Sequence, residues 1–336
     1  MNLFRIVRKR TNKSGYNGSP YRDVPTVLLF VFLLPYVISC LWGHSGVETE
    51  YVFGKAKEEE TTYIDEEYEI VLSGKQGTKH MTMQEYLLRK LKITMPKSKE
   101  GIMYETEALK AQAILLRTEV WGFFLSGEKT VVLEDDVSMY EQEESYSGEE
   151  EQSYAEAVMT TDGIYLAYAG QPVKAAFFPV SNGQTRDAAE VWTGDIYPYL
   201  RRVECEQDIL AGNYQSLITY DKKEYCLLIG ELFDMQGKAE EIWGNLELTR
   251  DSSEYVINVK INDLSCDGET FRYALGLASA DFRAQWEEES VTFHVKGAGH
   301  GFGLSQYGAN QKAVSGDTFN QILAAYFFQA ELVKIE

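Results

Sequence analysis

Glu107-Ala108-Leu109-Lys110-Ala111-Gln112-Ala113-Ile114-Leu115-Leu116-Arg117-Thr118 opens a helical pattern that continues to Phe124. Leu109, Ala113, Leu116, Val120 and Phe124 fall on one stripe, and Gly127 stands where a C-terminal cap is expected, so the spacing predicts a helix over 107–124. Upstream, Thr82-Met83-Gln84-Glu85 is a capping box. A second helix is therefore expected from there to Pro96, turning Tyr86, Leu87 and Leu91 inward. Tyr63 to Leu72 alternates as a strand does, and Gly74 to Gly77 makes a turn.

Beyond these helices, Glu134 to Glu151 carries nine carboxylates and no Lys or Arg, and reads as a solvated loop. The ordered acidic positions of a calcium loop are absent. From Ala155 the pattern turns to strands, with Gly163–Ala169 and Val173–Val180 joined at Gly170-Gln171-Pro172 as a hairpin. Ser181-Asn182-Gly183-Gln184-Thr185 breaks the second strand with turn-formers. An aromatic cluster (Trp192, Tyr197, Tyr199), a mixed segment at 222–245, a β-rich stretch at 246–271, a strand at 291–295 and two short C-terminal helices follow, Thr318 capping the second. No repeat and no Pro/Ser linker interrupts residues 63–336, so the expectation is a single composite α+β domain.

Charge divides the chain. Residues 1–23 hold six basic side chains and one acid, leaving 26 basic against 51 acidic residues in the remainder of a 336-residue chain of net charge -20. Such a remainder excludes nucleic acid as a partner. Between the two regimes Val24 to Val47 contains no Lys, Arg, Asp or Glu, and Thr26 to Trp42 is almost wholly apolar. About twenty such residues span a bilayer. The basic flank precedes the span, so the division expected is a cytoplasmic segment 1–23, a transmembrane anchor 24–43, an acidic stalk 44–62 and an extracytoplasmic domain 63–336. Val37-Ile38-Ser39-Cys40 also resembles a lipobox, which leaves a lipoprotein linked through Cys40 as the alternative. Cys205, Cys226 and Cys266 are widely spaced, with no CxxC and no histidine pair near them, so one disulfide plus one thiol or three thiols remain open and no metal is expected.

Near the C-terminus, Gly297-Ala298-Gly299-His300-Gly301-Phe302-Gly303-Leu304-Ser305-Gln306-Tyr307-Gly308-Ala309 sets four glycines on alternate positions around a histidine. Read as a strand, the period places the glycines on one face and His300 and Phe302 on the other, and glycine there signals close approach of something to the backbone. A ligand groove is the functional reading, and a tight sheet corner around a buried histidine is the structural one. The spacing is wrong for a dinucleotide loop.

Together these blocks closely resemble the SpoIID/LytB family of stage II sporulation protein D and amidase enhancers. Residues 107–118 resemble its EALKAQAVAART signature, and Ala157-Val158 through Thr161, Gly163 and Tyr168-Ala169-Gly170 its AV-x-x-T-x-G and Y-x-G blocks. Ser181–Thr185 is similar to its SGGxT turn, Val191-Trp192 and Pro198-Tyr199-Leu200 to its VW…PYL block, and 297–309 to its GxGHGxGxSQYGA signature. The resemblance covers residues 63 to 329 and implies a peptidoglycan lytic transglycosylase of the engulfment stage, with no cofactor. In such an enzyme one carboxyl group protonates the glycosidic oxygen and then, as base, helps the 6-hydroxyl of the same sugar attack. The family places that acid in a Glu-Met-Pro tripeptide, which here reads Thr94-Met95-Pro96. A threonine hydroxyl does not titrate near neutral pH, so the catalytic residue is unassigned and a weakly active or inactive glycan-binding protein is favoured. An active enzyme with a displaced acid (Glu100, Glu105 or Glu107) and an activator of an amidase such as stage II sporulation protein P are the alternatives. Carried over residue by residue, the resemblance implies glycan contacts at Thr94, Arg117, Ser181, Gln184, His300, Ser305, Gln306 and Tyr307. The Cys and His that some members use for metal near the position of Tyr140 have no counterpart.

Overall fold

A computed structural model describes residues 63–96, 104–124, 127–140, 148–194, 196–234 and 242–335, all within one compact unit spanning Thr61–Glu336. The apolar span 24–43, its lipobox and the stalk lie outside the described residues. Among the described residues no helix is long and apolar enough to cross a membrane.

The architecture is mixed α+β and is organised by helix α2 (Thr106–Phe124), which follows α1 (Met83–Thr94). The predicted stripe Leu109, Ala113, Leu116, Val120 and Phe124 packs into one core with Tyr86, Leu87 and Leu91 of α1. Ala111, Ile114 and Leu115 on the other side of α2 enter a second core. A helix that is apolar on both sides is central rather than amphipathic, and it dictates that structure accumulate around it. Strand β1 (Glu69–Gly74) pairs antiparallel with β2 (Gly77–Thr82) and parallel with β3 (Thr130–Glu134) beside the first core. Thr82 caps α1 by accepting from the Glu85 N–H at 3.1 Å, while the Glu85 carboxylate turns to Arg89 at 3.0 Å instead of closing the box.

Two sequence expectations fail between 148 and 180. Gly148–Thr160 is helix α3, not loop and then strand. Glu149, Glu150 and Glu151 occupy its first turn, where carboxylates complement the helix dipole, and Tyr154, Ala157 and Val158 form its buried face. Strand β4 (Ile164–Tyr168) does form, but it pairs with a two-residue β5 (Gln171–Pro172) and with the C-terminal strand β14 (Glu331–Lys334), and only Phe177–Phe178 of the expected second strand is β6.

A third core lies between two three-stranded sheets. One runs β8 (Glu247–Arg250), β9 (Val256–Ile261) and β10 (Leu264–Asp267); the other runs β7 (Gln215–Asp221), β12 (Ser290–Lys296) and β11 (Asp281–Trp286). Helices α4 (Lys222–Leu232) and α5 (Gly268–Ala274) supply Tyr225, Ile229 and Phe271 to it. The chain then returns through the glycine segment to β13 (Leu304–Ser305), α6 (Gln306–Val314) and α7 (Phe319–Tyr326), the last closed by a full capping box at Thr318. Cys205, Cys226 and Cys266 are all thiols.

Candidate glycan site

The glycine segment is not a strand. Gly297, Gly299, Gly301 and Gly303 all have positive φ, between 73° and 103°, so the chain winds through alternate left-handed residues. A Cβ added at Gly303 would sit 2.1 Å from the Ala176 carbonyl oxygen, and one at Gly299 would sit 2.6 Å from the Phe178 Cβ. What approaches these glycines is therefore the protein's own chain. The tight corner, rather than open room for a polymer, explains the glycines.

His300 is clamped at the middle of that corner. Its Nδ1 accepts the Phe302 N–H at 3.1 Å, and the ring makes a second hydrogen bond with the Phe177 backbone. A neutral imidazole that accepts at Nδ1 carries its proton on Nε2. Burial, with the guanidinium charges of Arg272 and Arg186 next in weight, pushes the imidazole down to about 4. Nδ1 is therefore occupied within the corner.

Helix α1 ends at Thr94 because Met95 precedes a proline, which disfavours helical backbone there, and Met95 is at φ -127. The Thr94 hydroxyl donates back to the Lys90 carbonyl at 2.9 Å. The Thr94 carbonyl, left without a helical donor, accepts from Gln306 Nε2 at 3.0 Å, and Tyr154 Oη donates to the Met95 carbonyl at 2.6 Å. Gln306 Nε2 also lies 3.3 Å from Gln112 Oε1 on α2. The tripeptide, the helix signature and the glycine segment therefore meet at one point.

Ser181 and Ser305 meet through a residue that no motif pointed to. Asp208 is fully buried; its Oδ2 accepts the Ser181 N–H at 2.7 Å and the Ser305 hydroxyl at 2.5 Å. Desolvation pushes this carboxyl above the ordinary range even though Ser305 and Ser181 pull it down. Ser305 Oγ also caps α6 by accepting the Gly308 N–H at 3.3 Å. Both serines are wholly buried and so act as ties between the 181–185 turn and the α6 start. Gln184 and Tyr307 are half-buried on this block, the Tyr307 N–H donating to the Pro179 carbonyl.

Arg117 stands apart from the others. It is wholly buried and grips Asp65, with Nη2 to Oδ2 at 2.6 Å and Nε to both carboxylate oxygens at 2.9 Å, and it donates to the Ile164 carbonyl at 3.0 Å. With no exposed surface it has none to give a sugar, and its role is to join α2 to the chain entry at Asp65.

A cleft of about 310 Å³ opens beside His300. Lys174, Trp192, Tyr197, Glu269, His300 and Phe302 line it, so His300 is the one expected glycan residue on its wall. Behind it lies Arg186, nearly wholly buried, bonded to Asp251 Oδ2 at 2.6 Å and stacked 4.5 Å from the centre of the Phe302 ring. Among the described residues no group of His, Cys, Asp and Glu is arranged to hold a metal ion. Tyr140 stacks on Tyr86 and donates to Asp135 at 2.6 Å.

An extended helix signature, a fixed tripeptide and a left-handed Gly-His-Gly corner joined at Gln306 define the class of protein. Residues 73–168 match the SpoIID (stage II sporulation protein) family model. The chain is 31% identical over 266 residues to stage II sporulation protein D of Bacillus subtilis (strain 168), covering 75% of this chain and 74% of that one. It is 28% identical over 320 residues to the protein of the same name from Bacillus amyloliquefaciens, covering 90% of each. The amidase enhancer of Bacillus subtilis is 25% identical over 276 residues, which are 67% of this chain and 37% of the enhancer. The chain belongs to the stage II sporulation protein D (SpoIID/LytB) family.

Asp208, Arg186 and Glu269 were not legible as site residues. Each is one carboxylate or guanidinium among many; the partners of Asp208 lie 27 and 97 residues away and those of Arg186 lie 65 and 114 away, while Glu269 bonds locally to Arg272. Trp192 and Tyr197 did carry a signal, since the aromatic cluster at 192–199 is dense in a region otherwise rich in turns.

Proposed function

We propose that this protein binds peptidoglycan glycan strands during sporulation and has little or no transglycosylase activity of its own. The observation that supports this most directly is the hydrogen bond from Gln306 to the Thr94 carbonyl. It sets threonine beside the Gly-His-Gly-x-Gly-x-Ser-Gln block, where the family resemblance calls for the acid. Thr94 cannot protonate a leaving oxygen, and loss of a positioned general acid costs about 10²–10⁴-fold in rate. Of the replacement acids, Glu107 is engaged: burial opposes its ionisation, but hydrogen bonds from Lys110 at 2.9 Å and the Phe319 N–H at 2.8 Å outweigh that and hold its carboxyl below the ordinary range. Glu105 is exposed at the start of α2, and Glu100 lies outside the described residues.

In this reading the span 24–43 anchors the protein with residues 63–336 outside the cytoplasm, and the glycan lies over the Thr94–Gln306 junction between the half-buried Gln184 and Tyr307. The test is incubation of the protein with denuded glycan strands. The wild type should sediment with them while releasing little anhydro-muropeptide, and Thr94→Glu should raise that release at least about tenfold, since the bound sugar supplies its own nucleophile. Robust wild-type cleavage abolished by Glu100→Gln or Glu105→Gln would instead identify a displaced acid. A second reading, recruitment or activation of an amidase, is favoured by the likeness to the amidase enhancer. Co-precipitation with a peptidoglycan amidase, without glycan sedimentation, would favour it.

A further inference from the structure

The cleft beside His300 has a construction that the Thr94–Gln306 junction does not require. Arg186, Phe302 and Trp192 form a column: the guanidinium lies 4.5 Å from the Phe302 ring, and that ring lies 4.5 Å from Trp192 at 41°. Asp251 fixes the inner end through its 2.6 Å bond to Arg186, and Tyr197 meets the edge of Trp192 at 5.5 Å and 85°. The column immobilises Trp192 while leaving 37% of it exposed. A large aromatic face that is fixed before any ligand arrives loses little entropy on binding.

The polar groups of the cleft are few and of opposite sign. Glu269 Oε2 accepts from Arg272 Nε at 2.6 Å, whereas its Oε1 is buried, has no hydrogen-bond partner, and stands 3.6 Å from Arg186 Nη1. Oε1 is thus shut in against the Arg186 guanidinium, and a ligand donor meets the part of the half-buried Glu269 side chain that is open to the cleft. Lys174 adds an exposed ammonium. One cation and one anion around a largely apolar wall suit a neutral ligand that has an apolar face and donors and acceptors at its rim. A pyranose fits this description, because its axial C–H groups form a flat, slightly positive face that matches the negative face of an indole. A volume of about 310 Å³ is at the small end for a ligand pocket and holds one ring, not a chain.

We propose that this cleft is a saccharide subsite that takes one N-acetylated sugar of a glycan strand, stacked on Trp192, with its amide N–H or a hydroxyl on Glu269 and a ring substituent on Lys174. The inference rests on the glycan-binding reading above and adds to it a place for a single sugar away from the Thr94 carbonyl. His300 contributes a neutral wall, its Nδ1 being held within the corner.

The full chain in detergent is titrated with tetra-N-acetylchitotetraose, followed by tryptophan fluorescence and calorimetry, and is sedimented with denuded glycan strands. Trp192→Ala should weaken chitotetraose binding about tenfold or more, Trp192→Phe should retain most of it, and Lys174→Ala should weaken it about threefold. Thermal melts check that each variant is folded; Lys174 is exposed, so its removal reads out the cleft even if the tryptophan variant does not fold. If the wild type binds denuded strands and the folded variants bind chitotetraose as tightly as it does, the subsite is overturned and glycan binding stands. If the wild type binds neither ligand, the glycan reading fails and the subsite with it. Unchanged sugar affinity in Trp192→Ala, with loss of co-purification with an amidase, would assign the cleft to a protein contact and likewise overturn the proposal.

Discussion

Acid should loosen the fold through His300. In the folded protein the imidazole is pushed down to about 4, from 6.5 when free, by burial and then by the charges of Arg272 and Arg186. A base whose folded pKa lies below its unfolded value binds its proton first in the unfolded chain. Its neutral, clamped form therefore contributes fully above about pH 6.5, and that contribution drains away as pH falls toward about 4. Linkage between these two values gives a loss of about 2 kcal/mol between about pH 7 and pH 5. Buried carboxyls such as Asp208 and Asp281 are raised and act in the opposite direction, so the absolute pH profile mixes several groups. The comparison that isolates His300 is with His300→Gln, whose amide can accept from the Phe302 N–H without ever charging. Urea unfolding of both proteins at about pH 7, 6 and 5, followed by tryptophan fluorescence, should show the wild type losing about 2 kcal/mol more than the variant over that range. Parallel profiles would refute the clamp, because a solvated His300 would charge equally in both states.

Arg117→Met should destabilise the fold by about 3–5 kcal/mol, because it leaves the Asp65 carboxylate buried without its partner; Arg117→Met with Asp65→Asn should recover much of this in urea unfolding. A loss under about 1 kcal/mol for the single variant would contradict a structural role. Gly303→Ala should cost more than about 2 kcal/mol, since a left-handed φ of 73° is joined to a Cβ 2.1 Å from a carbonyl oxygen; Gly316→Ala, with φ 98° and open space around it, should cost only about 1 kcal/mol. Equal unfolding midpoints for the two would show that the corner has room. Protease added to intact protoplasts should remove residues 43–336, and survival of the domain until lysis would reverse the proposed orientation.

Local signals carried helices α1, α2, α6 and α7 and failed at α3 and at the glycine segment for definable reasons. The α2 stripe and the Thr82 and Thr318 caps are interactions within a few residues, so their spacing alone specifies them. Helix α3 was hidden because Glu149, Glu150 and Glu151 look like solvated charge unless the helix that begins there is already known. The glycine segment misled through its period. Alternate residues that share a strand face and alternate residues in left-handed turns give the same two-residue spacing, and only the Phe178 and Ala176 atoms packed against Gly299 and Gly303 distinguish them.

The same distinction changes the meaning of the site motifs. Ser181, Ser305 and His300 recur beside glycines because they hold a crossing of chains together: two serines on Asp208, and the imidazole between Phe302 and Phe177. Ser181 and Ser305 act from within the crossing, whereas His300 also presents its ring to the cleft. A group open to a ligand needs a polar atom or face not engaged within the fold, as the exposed face of Trp192 and the exposed Lys174 are. Thr94 belongs to the scaffold by the same criterion, since its hydroxyl is bound to Lys90 and its carbonyl to Gln306. Exchanging it for glutamate changes the side chain and leaves the backbone carbonyl that Gln306 holds, which is why the substitution tests the proposed glycan site without removing the contact that joins the tripeptide to the glycine segment.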